Sequence, residues 1–366
     1  MDEMESLATP TAVRESRLTG LHRELGADLV EWLGTVVPGD YGSFPEEVEQ
    51  LRQACCLTDR SAIDRLEMRG ADRERFLSGM VTCDVRELGA EGGVYGFFTS
   101  RKGGVLADFA LLSFEDRFLL ELPPGRGEAI ADHLRTYILA DRVELAAVEE
   151  VVVPLAVAGR QAKRLLRELL GDDFPAAADG RWGHGAATIA SVPVTLASRP
   201  LLGVDAWTLW VAAEDADTVA RALLDAGARP AGMKALDAVR IEAGIPLWGL
   251  DYDESYLPQE VGPDEALNFT KGCYLGQEVV ARIHYRGGVN RRLVGLEFDG
   301  DEPPETGTDL FAEGKPVGKV GSVAISSILE GPIGLAVVHK KAAEPGTRLD
   351  VDGDGEAEVA ALPFVE

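Results

Sequence analysis

KGCYLGQE, residues 271–278, sets a cysteine between a glycine and a tyrosine and surrounds it with Lys271, Gln277 and Glu278. The chain runs on as VVARIHYRGGVNRRL (279–293), so Lys271, Arg282, Arg286, Arg291 and Arg292 gather in one segment or at its end. Gly272 and Gly276 permit close backbone approach or positive φ. A lysine beside the thiol, and a helix start expected at Tyr274 or Leu275, would both favour the thiolate. Such a thiol could be a nucleophile, a redox sensor or a soft-metal ligand; the plain alternative is an inert buried cysteine. Just past this stretch the texture changes. Short apolar runs (LVGLEF, PVGKVGSVAIS, PIGLAVVH, RLDVDG, EAEVAALPF) alternate with glycine, proline and acidic turns, the pattern of a small antiparallel β unit. A boundary is expected near residue 290, dividing 1–290 from 291–366.

Upstream the pattern is mixed α and β. About the first 20 residues read as a loose arm, and LHRELGADLVEWL (21–33) has the spacing of a helix. Residues 46–54 read as a short helix, RSAIDRLEMRG as a strand, and Asp72 as the cap of the helix RERFLSGM. YGFFTSRKGGVLADFALLSFEDRFLLELP (95–123) reads as successive strands, with turns at Lys102-Gly103-Gly104 and Glu115-Asp116. The order strand, helix, strand, strand, helix then recurs, which suggests two α+β units of ferredoxin-like type.

Two further residues invite chemistry. MKALDAVRIEAG (233–244) reads as a helix stopped at Gly244 and Pro246, and it places Glu242 near a C-terminus, where the dipole favours a cation. A carboxylate set against that preference suggests a partner. Facing solvent it is ordinary; facing a pocket, its two oxygens would accept paired N–H donors from an aminopyrimidine-type ring. Asp108 follows the Gly103-Gly104 turn on an otherwise apolar strand. Aimed into a cleft, it would anchor a ligand amine or act in proton transfer.

Composition narrows the classes. The chain has 366 residues, with Lys+Arg 36 against Asp+Glu 62, a net charge of −26 that disfavours broad contact with nucleic acid or anionic membrane. Cys55, Cys56, Cys83 and Cys273 form no C-x-x-C pair, and four reduced thiols suit a cytoplasmic protein. No apolar run reaches the length of a membrane span, and the acidic N-terminus lacks the features of a secretory signal. Neither a phosphate loop nor a dinucleotide fingerprint occurs. DVDGDG (350–355) fails as a calcium loop because its twelfth position is Ala361, leaving an acidic hairpin turn. The histidines show no metal-ligand spacing; only His284, eleven residues after Cys273, is near the segment of interest.

KGCYLGQE, preceded by VRIEAGIPLWG (239–249) and LPQE (257–260), resembles the signature of the YgfZ-type folate-binding proteins, relatives of the glycine-cleavage T-protein, an aminomethyltransferase. The resemblance runs from LTDRSAIDRLEMRGADRERFL (57–77) through the C-terminal unit. It implies an α+β, three-lobed ring: two ferredoxin-like lobes, one discontinuous, and a C-terminal antiparallel β-barrel. Tetrahydrofolate or a derivative would sit in the central hole, with Glu242 on the pterin and Lys271 contributing. Tyr274 and Arg282, in the same segment, join them as candidate folate contacts. Asp108 would line the cavity and act in aminomethyl transfer, and Cys273 would be the functional thiol. The implied partners are iron–sulfur proteins or the cluster-assembly machinery, and through them tRNA-modifying enzymes; a monomer is expected. T-proteins often carry two adjacent aspartates where this chain has Ala107-Asp108, a departure that counts against transferase activity and leaves the folate expectation intact; it is the cysteine that separates the chain from an ordinary transferase. The alternative reading is a tetrahydrofolate-dependent aminomethyltransferase.

Overall fold

Residues 105–113 show how the pleat positions the site. On the strand Val105–Ser113, Ala107, Phe109 and Leu111 point to one face and pack with Leu66, Met68, Phe98, Phe118 and Leu120. Asp108 and Ala110 point to the other. The run reads as nearly continuous apolar sequence because both faces of this sheet are covered. The first face packs against the helices Arg73–Ser78 and Gly127–Arg135 through Phe76, Leu77, Ile130 and Leu134. Asp72 stands before the first of these helices but makes no side-chain cap; its carboxylate takes Arg142 instead.

The structure, a computed structural model, describes residues 13–200, 202–353 and 355–365, apart from the Arg286 side chain. One sheet is antiparallel, in the order Gly93–Thr99, Val105–Ser113, Arg117–Leu122, Asp64–Arg69, Glu144–Ala147. A second runs His184–Ile189, Val192–Ser198, Ala206–Ala212, Val152–Ala158, Cys56–Asp59, Arg229–Pro230, with only the last pairing parallel. The first follows the ferredoxin-like order with Gly93–Thr99 added at one edge; in the second, His184–Ile189 is added at an edge and Cys56–Asp59 is inserted between Val152–Ala158 and Arg229–Pro230. The second lobe is discontinuous: its Cys56–Asp59 strand precedes the whole first sheet in sequence. The helices Ala162–Leu170 and Ala216–Asp225 cover one face of it, while Phe44–Gln53 and Met233–Glu242 cover the other.

The third lobe is a closed antiparallel barrel. Its strands run Arg291–Phe298, Gly331–His339, Lys315–Ser326, Asp309–Ala312, Arg348–Val351 and Gly355–Ala360, and the last pairs back with the first. DVDGDG forms the turn between the last two strands in sequence, though Asp354 lies outside the described residues. Two α+β lobes, one of them discontinuous, and a closed C-terminal antiparallel barrel are the architecture that the resemblance implied.

Two local expectations differ from the structure. Residues 21–33 do not form one helix: a helix covers Thr19–Glu24, Gly26 turns the chain at φ 81°, and Asp28–Trp32 is a strand. That strand pairs antiparallel with Thr35–Asp40, so sheet pairing overrides the helical spacing of its leucines. Of the supposed loose arm, residues 1–12 lie outside the described residues. The remainder is tied down: Arg14–Glu15 pairs parallel with Thr35–Asp40, and Leu18 is buried. Glu144–Ala147 and Val152–Ala158, close in sequence, belong to different sheets.

Candidate functional site

Both lobes and the helix Met233–Glu242 converge on a cavity of about 160 Å³. Trp32, Tyr95, Trp182, Leu202 and Pro246 supply apolar and aromatic wall, and Asp108, Glu121, Asp237, Arg60 and Arg199 supply charge. Tyr95 and Trp182 are stacked at 5.6 Å with their planes 8° apart.

Asp108 sits in this wall because of its register. Its strand pairs with Gly93–Thr99, putting Asp108 opposite Phe97 and Ala110 opposite Tyr95. The Tyr252 hydroxyl donates to one Asp108 carboxylate oxygen at 2.7 Å and Tyr95 donates to the other at 3.1 Å. Burial raises the Asp108 carboxyl above the usual carboxylate range, and the two hydroxyls pull the other way without cancelling it. The turn that feeds this strand is tight. A side chain at Gly104 would place its Cβ 2.1 Å from the Glu254 carbonyl oxygen, so glycine alone lets the hairpin pack there.

Asp237, three residues before Arg240 on the same helix face, also lines the cavity. Arg240 Nε donates to its Oδ1 at 2.7 Å; among the described residues nothing donates to Oδ2. Burial raises this carboxyl too, against the pull of Arg240. Glu121 lies deeper, with Arg60 and Arg199 on it. It sits on a strand of the first sheet, and the two arginines directly follow strands of the second, so the trio joins the lobes at the cavity wall. Burial alone would raise the Glu121 carboxyl, but the two guanidinium groups prevail and hold it below its ordinary range.

The KGCYLGQE segment packs beside the Asp108 hairpin. Thr99 Oγ1 donates to the Leu275 carbonyl at 2.5 Å, and a Cβ on Gly276 would come within 2.5 Å of the Ser100 carbonyl oxygen. Yet none of its residues lines the cavity. Lys271 is buried, with its ammonium donating to the Ser78 carbonyl and lying 5.0 Å from the Tyr274 ring centroid. Desolvation pushes its pKa down to about 8. Tyr274 is buried, and its hydroxyl has no hydrogen-bond partner among the described residues. Arg282 is exposed on the helix Gln277–Arg286, and His284 on the same helix stacks on Phe269 at 3.8 Å. Cys273 is exposed, whereas Cys55, Cys56 and Cys83 are buried. The helix starts at Gln277, not at Tyr274 or Leu275, so Cys273 stands outside its first turn.

Glu242 does have a partner, but it is the protein's own. Arg52 donates to both carboxylate oxygens, and Ser326 Oγ donates to Oε1 at 2.7 Å. Glu242 is buried at the junction of two helices and the barrel and does not line the cavity. Sequence reading passed over Arg60, Tyr95, Glu121, Trp182, Arg199 and Asp237 in the cavity wall, and Tyr252, which holds Asp108. Only Asp237 had a local signal, in its i,i+3 spacing to Arg240. Among the described residues, no cluster of His, Cys, Asp and Glu has the geometry to hold a metal ion, and no helix is long and apolar enough to cross a membrane.

Residues 18–271 match the family described as "GCVT N-terminal domain", and residues 291–366 match "Glycine cleavage T-protein C-terminal barrel domain". An aminomethyltransferase of Thermus thermophilus is 32% identical over 366 residues, covering 96% of this chain and 99% of the relative. One from Rubrobacter xylanophilus is 30% identical over 353 residues, covering 96% and 94%. The crystal structure of glycine cleavage system aminomethyltransferase T from Bartonella henselae aligns with a TM-score of 0.85 over 97% of this chain and 99% of that one; at 24% identity, that likeness speaks to the fold.

Proposed function

The chain belongs to the glycine-cleavage T-protein family, and from that premise we propose that it binds a reduced folate, tetrahydrofolate or a derivative, in the Asp108 cavity and transfers a one-carbon unit. The donor set suits such a ligand. A reduced pterin carries a flat aminopyrimidinone ring with adjacent N–H donors, and the cavity offers the stacked Tyr95–Trp182 wall and the open oxygen of Asp237 to receive it. Bound tetrahydrofolate would supply the nitrogen atoms that accept or release the one-carbon unit.

The observation carrying this reading is Asp108, held by two tyrosine hydroxyls in the cavity wall. Its carboxyl is fixed in place and biased toward the protonated form, so it can give a proton to a departing amine and take it back. The aspartate missing at Ala107 does not touch this role, because Ala107 packs into the opposite face of the sheet. Incubating the purified protein with tetrahydrofolate and an aminomethyl donor should yield methylene-tetrahydrofolate. Product no faster than in buffer would end the transferase reading.

A second reading has its own support. The exposed Cys273, in a segment resembling the YgfZ signature, favours a folate-binding accessory protein that serves iron–sulfur proteins by thiol chemistry. Complementation of a strain lacking its own copy separates the two: under this reading Cys273→Ala fails to complement, and under the transferase reading it complements fully.

A further inference from the structure

Arg60 and Arg199 bring two positive charges to one end of the cavity, and Glu121 answers only one of them. Arg199 is spent on Glu121 Oε1 through Nε and Nη2, and its Nη1 donates to the Ser198 carbonyl. Arg60 uses Nη1 alone, toward Glu121 Oε2 at 3.0 Å and Thr208 Oγ1 at 3.3 Å. Among the described residues, Arg60 Nε and Nη2 meet no acceptor, and no carboxylate other than Glu121 lies within salt-bridge reach of Arg60. The Arg60 side chain is only 14% exposed. A guanidinium so far out of water costs several kcal/mol unless its donors are satisfied. Its plane is nevertheless fixed, by Glu121 from the facing sheet and by Thr208 from its own.

We propose that Arg60, braced by Glu121 and Arg199, is the receiving group for a carboxylate carried by the ligand of this cavity. An arginine fork presents paired N–H donors that match a carboxylate. The whole chain, at net −26, repels anions, so the subsite must supply the attraction locally. The cavity is thus polarised. Asp108 and Asp237 face the hydrogen-bond donors of a ligand, and Arg60 faces its anionic end. This rests on the folate reading and sharpens it. The carboxylate has two possible sources, the glutamyl tail of the folate or a separate amino-acid donor of the one-carbon unit.

Calorimetric titration of the whole protein with three probes tests this. They are a tetrahydropterin without a tail, p-aminobenzoylglutamate, and N-methylglycine. Arg60→Met should weaken binding of at least one of the two carboxylates about tenfold or more and leave the tetrahydropterin unchanged. Loss with p-aminobenzoylglutamate assigns the folate tail, and loss with N-methylglycine assigns a separate donor. Unchanged affinity for both carboxylates, failure of both to bind wild type, or an equal loss for all three probes overturns the subsite. Arg60→Lys, which keeps the charge and loses the fork, should fall between wild type and Arg60→Met, and it serves as the readout if Arg60→Met does not fold. A wild type that binds a carboxylate but not the tetrahydropterin would reject the folate reading while leaving the subsite standing.

Discussion

Tyr252 donates its hydroxyl to Asp108 at 2.7 Å, joining a segment beyond the helix Met233–Glu242 to a strand of the first sheet. The contact fixes the carboxyl that lines the cavity, with Tyr95 on its other oxygen. Replacing Asp108 by Asn keeps the shape and removes the titrating group. Asp108→Asn should lower the transfer rate by about 100-fold or more, the usual worth of a positioned acid–base group, with tetrahydrofolate affinity changed little. A rate within a factor of about two of wild type would show that another group moves the proton.

The same pair sets a pH dependence. Burial raises the Asp108 carboxyl, so the limb of the pH–rate profile on which the rate falls as this proton is lost should lie above the usual aspartate value of about 3.9. A tyrosine hydroxyl favours the charged carboxylate. Tyr252→Phe therefore removes a stabiliser of that form and should move the limb to still higher pH. Movement to lower pH would contradict the assigned hydrogen bond.

Glu242 should behave as a structural residue. Glu242→Ala leaves the half-buried Arg52 without its carboxylate partner and Ser326 Oγ without its acceptor, and should cost about 3 kcal/mol or less, since a loss of about 3–5 kcal/mol on breaking a pair belongs to fully buried charges. Chemical denaturation should show that loss. Tetrahydrofolate affinity of the folded protein should stay near wild type, and a selective loss of binding with intact stability would return Glu242 to the pocket.

Lys271 gives a stability signature at alkaline pH. Its folded pKa is about 8, below the model-peptide value of about 10.4, so between those values the unfolded chain binds more protons. Stability should therefore gain a rising contribution from about pH 8 to about pH 10.4. Lys271→Met should abolish that contribution. An unchanged slope in the variant would show that the lysine is not buried as described.

The cysteines differ in access. Burial pushes the Cys55, Cys56 and Cys83 thiols up to about 12, while Cys273 is exposed. One thiol per chain should react rapidly with a neutral thiol reagent under native conditions, and Cys273→Ala should remove that fast phase with little change in melting temperature.

Much of the fold was legible because its patterns are local. The apolar run at 105–113, the Gly103-Gly104 turn and the glycine-punctuated runs after Arg292 each declare their structure within a few residues. The failures have the same root. Leucine spacing at 21–33 fits a helix, and only pairing with Thr35–Asp40 makes part of it a strand. At the site, Asp108 was readable as an acid on an apolar strand. Glu242 was readable as a carboxylate needing a partner, but that partner, Arg52, is 190 residues away. The trio of Arg60, Glu121 and Arg199 left no trace, since its members are separated by 61 and 78 residues and meet only when the two sheets face each other.

A reduced folate is proposed to occupy the cavity between Asp108 and Asp237. Calorimetric titration of tetrahydrofolate into wild type and Asp237→Asn tests it most directly. One saturable site per chain is predicted in wild type, weakened about tenfold or more when the open carboxylate oxygen becomes an amide, in line with about 1.5–3 kcal/mol for a hydrogen bond to a charged group. No binding to wild type, or equal affinity in the two proteins, would contradict it.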